Sequence, residues 1–377
     1  MPKIKQSTNL KTGYTTGTCA AAAAKSAMIC LISGATNLLS ITVNLPRSGH
    51  YGDTATIAVY KCGTSDDRVQ GFSEIIKDAG DDPDVTNGAV IRADVYWNEA
   101  KNPAQKVEIY GGTGVGVVTR TGLPVAVGKS AINPVPCKMI LNEVSEVLQT
   151  YNIDRCVKVM ISVPDGEKIA KLTMNERLGI IGGISILGTR GVVIPFSNSA
   201  YRASLAVTIK AAAENGLRHV ALTTGGRSEK YAMGIYPELD PMGFIEAGEF
   251  IGFSLKKCQS YQIQKVTISG MIGKLSKVAS GVLMVHSSKS SIDFQFLAGI
   301  AVKAGAKTEL AEKIKSANTA GEVAEWMITE GVTGFFDILT GLCCKVCSEK
   351  VQGQMEIETL LFNMDGQLLG RNFIPAK

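Results

Sequence analysis

The chain has 377 residues, enough for about two or three domains, and 45% are hydrophobic against only 19% charged, which excludes a disordered chain. Nine scattered cysteines, an odd number, exclude a disulfide framework, and aromatics at 6% give no stacking platform for single-stranded nucleic acid. The net charge of +5 is unevenly spread: residues 1–52, 109–142, 177–213 and 250–292 contain no Asp or Glu at all. Acid-free basic stretches that converge in a fold concentrate an anionic partner. A small polyanion fits them better than nucleic acid, for which no binding motif is present.

In chain order, Thr15, Thr16 or Thr18 is placed to cap an alanine-rich helix over 19–32. Lys25 interrupts that apolar run, so neither a membrane span nor a signal peptide is expected, and the protein is expected to be cytoplasmic. Residues 39–45 and 54–60 alternate as strands around a turn at 46–52, and 89–97 with 105–110 reads as a second strand pair. An acidic loop, 78–84, lies between these pairs. The segment 1–150 therefore reads as an α+β domain.

From 151 the pattern changes. Strands at 156–163, 218–224 and 265–270 alternate with helical periodicity near 199–215, 243–257 and 274–284. That spacing argues for βαβ units and an α/β domain over 151–340 with a mostly parallel sheet. Residues 293–330 read as helical throughout. Residues 355–364 and 367–373 flank Asp365 and Gly366, so 341–377 is expected to end in a hairpin packed back on the body.

Several motifs carry chemistry. GGTGVG (111–116) follows a strand and places glycines at 112, 114 and 116, a spacing that lets backbone N–H groups approach a ligand. Val117 occupies the third-glycine position of the dinucleotide fingerprint, and no ribose-binding acid follows in the window to 142. A ligand cradle and a structural bend both fit this loop. On the first reading, Gly114→Val weakens cofactor binding and leaves the fold intact.

Asn133-Pro134-Val135-Pro136 reads as a stiff extended segment with a polar side chain at its head. GIIGGISILGTRG (179–191) reads as a buried glycine loop from which Arg190 can pair with a carboxylate. TTGGR (223–227) and SGMIGK (269–274) each follow a strand, where ligands of open α/β sheets bind. Lys274 there sits near a helix start suited to an anion.

The three histidines, at 50, 219 and 286, form no ligand pair, and one C-x-x-C (Cys344 and Cys347, beside Cys343) has no second half elsewhere. A protein-bound metal is therefore not expected. His286, beside Ser287 and Ser288 in an acid-free window, is the histidine worth testing for a catalytic role.

LKTGYTTGTCAAAAAK (10–25), GGTGVGVVTRTGLPVAVGKSAINPVP (111–136), NERLGIIGGISILGTRGVV (175–193) and SGMIGKLSKVASGVLMVHS (269–287) closely resemble the cobalt-precorrin-5B C(1)-methyltransferases of cobalamin biosynthesis, the CbiD family. Met271 and Cys137 depart from that family's usual histidine and arginine. The resemblance implies two domains, one α+β and one Rossmann-like. It implies methyl transfer from S-adenosylmethionine to C-1 of a polycarboxylated cobalt-precorrin, with cobalt arriving only as part of the substrate. The expected site has Gly112, Thr113, Gly114 and Gly116 against the cofactor. Thr15, Thr16, Asn133, Arg177, Ser185, Arg190, Lys274 and Lys277 are expected on the substrate, and His286 as the catalytic candidate. Self-association into a homo-oligomer stays open. A non-catalytic tetrapyrrole carrier and a glycine-loop nucleotide-dependent enzyme remain as alternatives; S-adenosylmethionine binding separates both from a methyltransferase.

Overall fold

The computed structural model describes residues 10–46, 54–99, 106–285 and 291–377. The chain is a mixed α/β protein that divides into two units, Met1–Ser197 and Asn198–Lys377. The sequence places a boundary near residue 150. The difference comes from the strand Cys156–Ser162, which inserts between Val90–Asn98 and Val107–Gly111 in the first unit's sheet. Those two strands, expected to pair with each other, are separated by it.

The first unit's five-stranded sheet runs in the order Lys61–Thr64, Gln70–Ile76, Val90–Asn98, Cys156–Ser162, Val107–Gly111. All neighbours are antiparallel except the last pair. Strands Ser40–Asn44 and Thr54–Ala58 form a separate antiparallel pair. The helix Thr16–Ser33 shares the sheet's core, with Ala20 to Ala24 wholly buried. Small side chains allow that closeness, and so does Gly71, where a Cβ would strike the carbonyl oxygen of Ala27. This helix is long and apolar enough to cross a membrane, but its apolar surface is spent on the protein core.

The helix Pro134–Thr150 buries Met139, Ile140, Val144, Val147 and Leu148 in the same core. Its Pro134 stands at the first helical position, where a missing N–H costs nothing. The expectation of an extended Asn-Pro-Val-Pro segment is thereby corrected: the two prolines start a helix. Lys25 on the first helix meets the buried Glu143 on the second at 2.7 Å. Glu143 also accepts from the backbone N–H and side-chain amide of Asn44, at 2.6 and 3.0 Å.

The second unit's sheet runs Phe244–Glu246, His219–Thr223, Lys265–Met271, Glu356–Phe362, Leu368–Ile374. The first four strands are parallel and the last is antiparallel, so the C-terminal hairpin is the edge of this sheet. The continuous helical reading of 293–330 resolves into Phe294–Lys303, Thr308–Lys315 and Ala320–Thr329. The helix Gly334–Lys350 buries Cys343, Cys344 and Cys347, and burial pushes all three thiols up. Among the described residues, no group of three or more His, Cys, Asp or Glu side chains is placed to hold a metal.

Candidate active site

In the first unit three of the motif blocks meet along one chain of backbone hydrogen bonds. Gly116 N–H donates to Ile184 (3.0 Å), Ala131 N–H to Gly116 (2.7 Å), Ile186 N–H to Ala131 (2.8 Å) and Asn133 N–H to Ile186 (2.9 Å). From the other side Gly17 N–H donates to the Leu187 carbonyl and Thr15 N–H to that of Gly191. The N-termini of both long helices, Thr16–Ser33 and Pro134–Thr150, thus flank the loop 185–191.

The threonines fix this junction. Thr15 caps its helix by accepting from Thr18 N–H at 3.2 Å. Thr16 donates to the Leu187 carbonyl at 3.1 Å and accepts from Leu187 N–H at 2.9 Å, while Thr18 donates to Gly191 at 2.6 Å. Thr15 and Thr16 therefore hold the loop in place, with their hydroxyls already engaged. Ser185 is buried and donates to Asn175 at 3.4 Å. Asn133, half-buried, makes no side-chain cap bond to its own helix, which leaves its amide for another partner. Arg190 is exposed and Arg177 half-buried.

The 111–116 loop is packed from within. A Cβ at Gly114 would overlap the Val163 carbonyl, one at Gly183 the carbonyl of Gly114, and one at Gly116 a methyl of Ile180. Gly112 N–H goes to Ile161 (2.8 Å) and Val163 N–H to the Thr113 carbonyl (2.8 Å). Of the four residues expected against a cofactor, Gly114 and Gly116 are buried, Gly112 is half-buried and Thr113 is exposed. With φ of +71° at Gly114 and a carbonyl in its Cβ position, the expectation that Gly114→Val leaves the fold intact does not hold.

The second unit brings different loops together at the carboxyl edge of its parallel strands. Thr224 N–H donates to the Ser269 carbonyl (3.0 Å). Ser269 donates to the carbonyl of Ser228 (2.9 Å) in the first turn of the helix Gly226–Ile235. Lys274 donates to the Thr224 carbonyl, and Lys277, buried, reaches the Val285 carbonyl at 3.4 Å. Burial, then the neighbouring Lys274, pushes the Lys277 ammonium below the usual lysine range. Lys277 is thus set inside the unit, and Lys274 lies beside the 224–227 loop. Arg190 belongs to the first unit, Lys274 and Lys277 to the second.

Here the glycines face space: no atom comes within 4 Å of a Cβ built at Gly225, Gly226 or Gly273. The short strand Phe244–Glu246, absent from the sequence reading, sets Glu246 level with Thr223 at the same edge. Its sequence signal was an acid about 20 residues beyond a strand–glycine loop, the offset of a ribose-binding carboxylate. His286 lies outside the described residues.

The chain thus comprises two mixed α/β units, one with motif loops locked around paired helix N-termini and one with open glycines on a parallel sheet. Comparison with known proteins makes this specific. The family described as CbiD matches residues 3–195, and its C-terminal domain matches residues 284–373. Cobalt-precorrin-5B C(1)-methyltransferase from Geobacillus sp. (strain WCH70) is 52% identical over 362 residues, covering 96% of each chain. The protein of the same name from Priestia megaterium is 48% identical over 367 residues, covering 97% of each. A 1.9 Å crystal structure of a cobalamin biosynthesis protein (cbiD) from Archaeoglobus fulgidus aligns at 30% identity over 74% of this chain and 83% of that one, with a TM-score of 0.40. The chain belongs to the CbiD family of methyltransferases.

Proposed function

We propose that the protein transfers a methyl group from S-adenosylmethionine to C-1 of cobalt-precorrin-5B, giving cobalt-precorrin-6A. The observation that carries this reading is the near-full-length match to methyltransferases of that name at about half identity. The convergence of three motif blocks on the acid-free loop 185–191 agrees with it. The fold of the second unit is read as Rossmann-like on its four parallel strands.

The donor supplies a methyl on a sulfonium, already electrophilic. The C–S bond breaks with its electron pair going to sulfur as the new bond forms at the macrocycle carbon. The chain's task is then positioning and exclusion of water, which needs no covalent nucleophile. In the first unit Arg190, Arg177 and the uncommitted amide of Asn133 are the groups for substrate carboxylates, with the buried Ser185 as a further polar group. Thr15 and Thr16 act one step back, by fixing the backbone that carries Leu187 to Arg190. Cobalt enters as part of the substrate.

Incubation with methyl-labelled S-adenosylmethionine and cobalt-precorrin-5B tests this. Gain of one labelled methyl by the macrocycle is expected. A macrocycle recovered unchanged, with intact donor, contradicts it.

A further inference from the structure

We infer that the carboxyl edge of the second unit's sheet, where Thr224–Arg227, Glu246 and Gly270–Lys274 meet, seats the adenosyl amino acid, with Glu246 holding the ribose hydroxyls. This rests on the methyl-transfer reading and adds a location to it.

From the strand His219–Thr223 the chain passes through the helix Gly226–Ile235 to Phe244–Glu246 on one side, then through Ile251–Ser260 to Lys265–Met271 on the other. The order reverses at His219–Thr223, and open parallel sheets bind ligands in the crevice outside the carboxyl ends at such a point. The glycines bordering it, Gly225, Gly226 and Gly273, have open space where side chains would be.

Thr223 pairs with Glu246 on one side and with Ser269 on the other, so the three side chains share one face of the sheet. That face carries the helix Gly226–Ile235: Ala221 and Phe244, two positions earlier on their strands, pack with Ala232 of this helix, and Ser269 bonds its first turn. Glu246 is exposed there, about 20 residues beyond Gly226, where dinucleotide-binding sheets place the acid that accepts from ribose hydroxyls.

Thr223, at this same edge, has a buried hydroxyl without a hydrogen-bond partner, and buried hydroxyls are rarely left so.

The rest of the edge suits the ligand's other parts. The first-turn N–H groups of the helix Gly226–Ile235 have no intrahelical acceptors, and Lys274 lies beside them, a fit for the amino-acid carboxylate. Tyr201 donates to the Glu246 carbonyl at 2.8 Å and stands 5.5 Å from the Phe250 ring, an aromatic wall next to the ribose position.

Calorimetry on the full chain with S-adenosylhomocysteine tests the assignment without needing the macrocycle. Glu246→Gln should weaken binding about tenfold or more, the usual scale for losing a charged hydrogen-bond partner. It should leave the weaker affinity for a 2′,3′-dideoxy analogue unchanged, a pattern that a folding defect does not produce. Lys313→Ala should bind like the wild type. Glu246→Gln and Gly226→Val both binding like the wild type would overturn the site, as would loss in Thr113→Val alone, which would return the ligand to the first unit's loop. Tighter binding of NAD than of S-adenosylhomocysteine also overturns it. A wild-type chain that binds no S-adenosylhomocysteine instead removes the methyl-transfer reading itself, and the site with it.

Discussion

The glycines at 112–116 and those at 225, 226 and 273 look alike in the sequence, each following a strand, yet the fold uses them oppositely. In the first unit Gly114, Gly116, Gly166 and Gly183 are glycines because another part of the chain occupies the Cβ position. In the second unit the corresponding positions of Gly225, Gly226 and Gly273 are empty. A glycine loop is thus evidence for a ligand only when no chain atom already fills the room that the missing side chain leaves. By that test the 112–116 loop is a frame, and the positions 225, 226 and 273 form an opening.

The largest effect that can break this contrast is on stability. Gly114→Val adds a left-handed φ strain to an overlap with the Val163 carbonyl, together about 4 kcal/mol or more. Gly226→Ala adds a methyl in open space and should change stability by less than about 1 kcal/mol. Thermal melts of the two variants decide it: equal midpoints would dissolve the distinction.

Lys25→Ala probes the frame from its other side. It leaves the Glu143 carboxylate buried against Asn44 alone, at a cost of about 3 kcal/mol. Denaturant titration showing under about 1 kcal/mol would mean that the two long helices are not tied at this pair.

Acid should loosen the second unit by a route of its own. His219 meets Thr267 at 2.8 Å, and Thr267 donates to Glu358 at 2.6 Å, beside Tyr236 and Arg371. Burial, with the nearby Lys265, lowers the His219 pKa to about 4. Burial pushes the Glu358 carboxyl up, but hydrogen bonds from Thr267, Tyr236 and Arg371 outweigh it and hold it below the usual range. A histidine with a depressed folded pKa binds its proton first in the unfolded chain. Its contribution is therefore complete above about pH 6.5 and is lost as pH falls towards 4. Partial exposure limits the loss to on the order of 1–2 kcal/mol. His219→Gln should flatten the stability profile between those pH values; an unchanged slope contradicts the assignment.

The smallest expected effect is at the exposed Arg190. Arg190→Ala should raise the apparent KM for the tetrapyrrole about tenfold, with added salt weakening wild-type binding in parallel. Lys313→Ala, on the helix Thr308–Lys315, is the comparison that should show neither change. Identical kinetics in both variants would leave the acid-free stretches without a functional meaning.

Much of this was legible in the residues. The strands at 156–163, 218–224 and 265–270 stand within a residue or two of their observed bounds, because continuous β-branched runs ending in polar turns have few other solutions. The C-terminal hairpin was legible from Asp365 and Gly366. Partner choice was not: nothing local in Cys156–Ser162 says that it inserts between Val90–Asn98 and Val107–Gly111. Nor was Phe244–Glu246, three residues whose apolar pattern merges with the helix that follows and reads as helical across 243–257. That one short strand carries Glu246, so missing it hid the carboxylate. The threonines of 15–18 were legible as helix caps, but their grip on Leu187 and Gly191, some 170 residues away, was not.

The contrast between frame and opening is tested most directly by hydrogen–deuterium exchange of the full chain with and without S-adenosylhomocysteine. Backbone amides at 224–228, 246–249 and 270–274 should become slower to exchange when the ligand is present, while those at 111–116 stay as they were. Protection that falls on 111–116 and spares the second unit's edge would contradict the account.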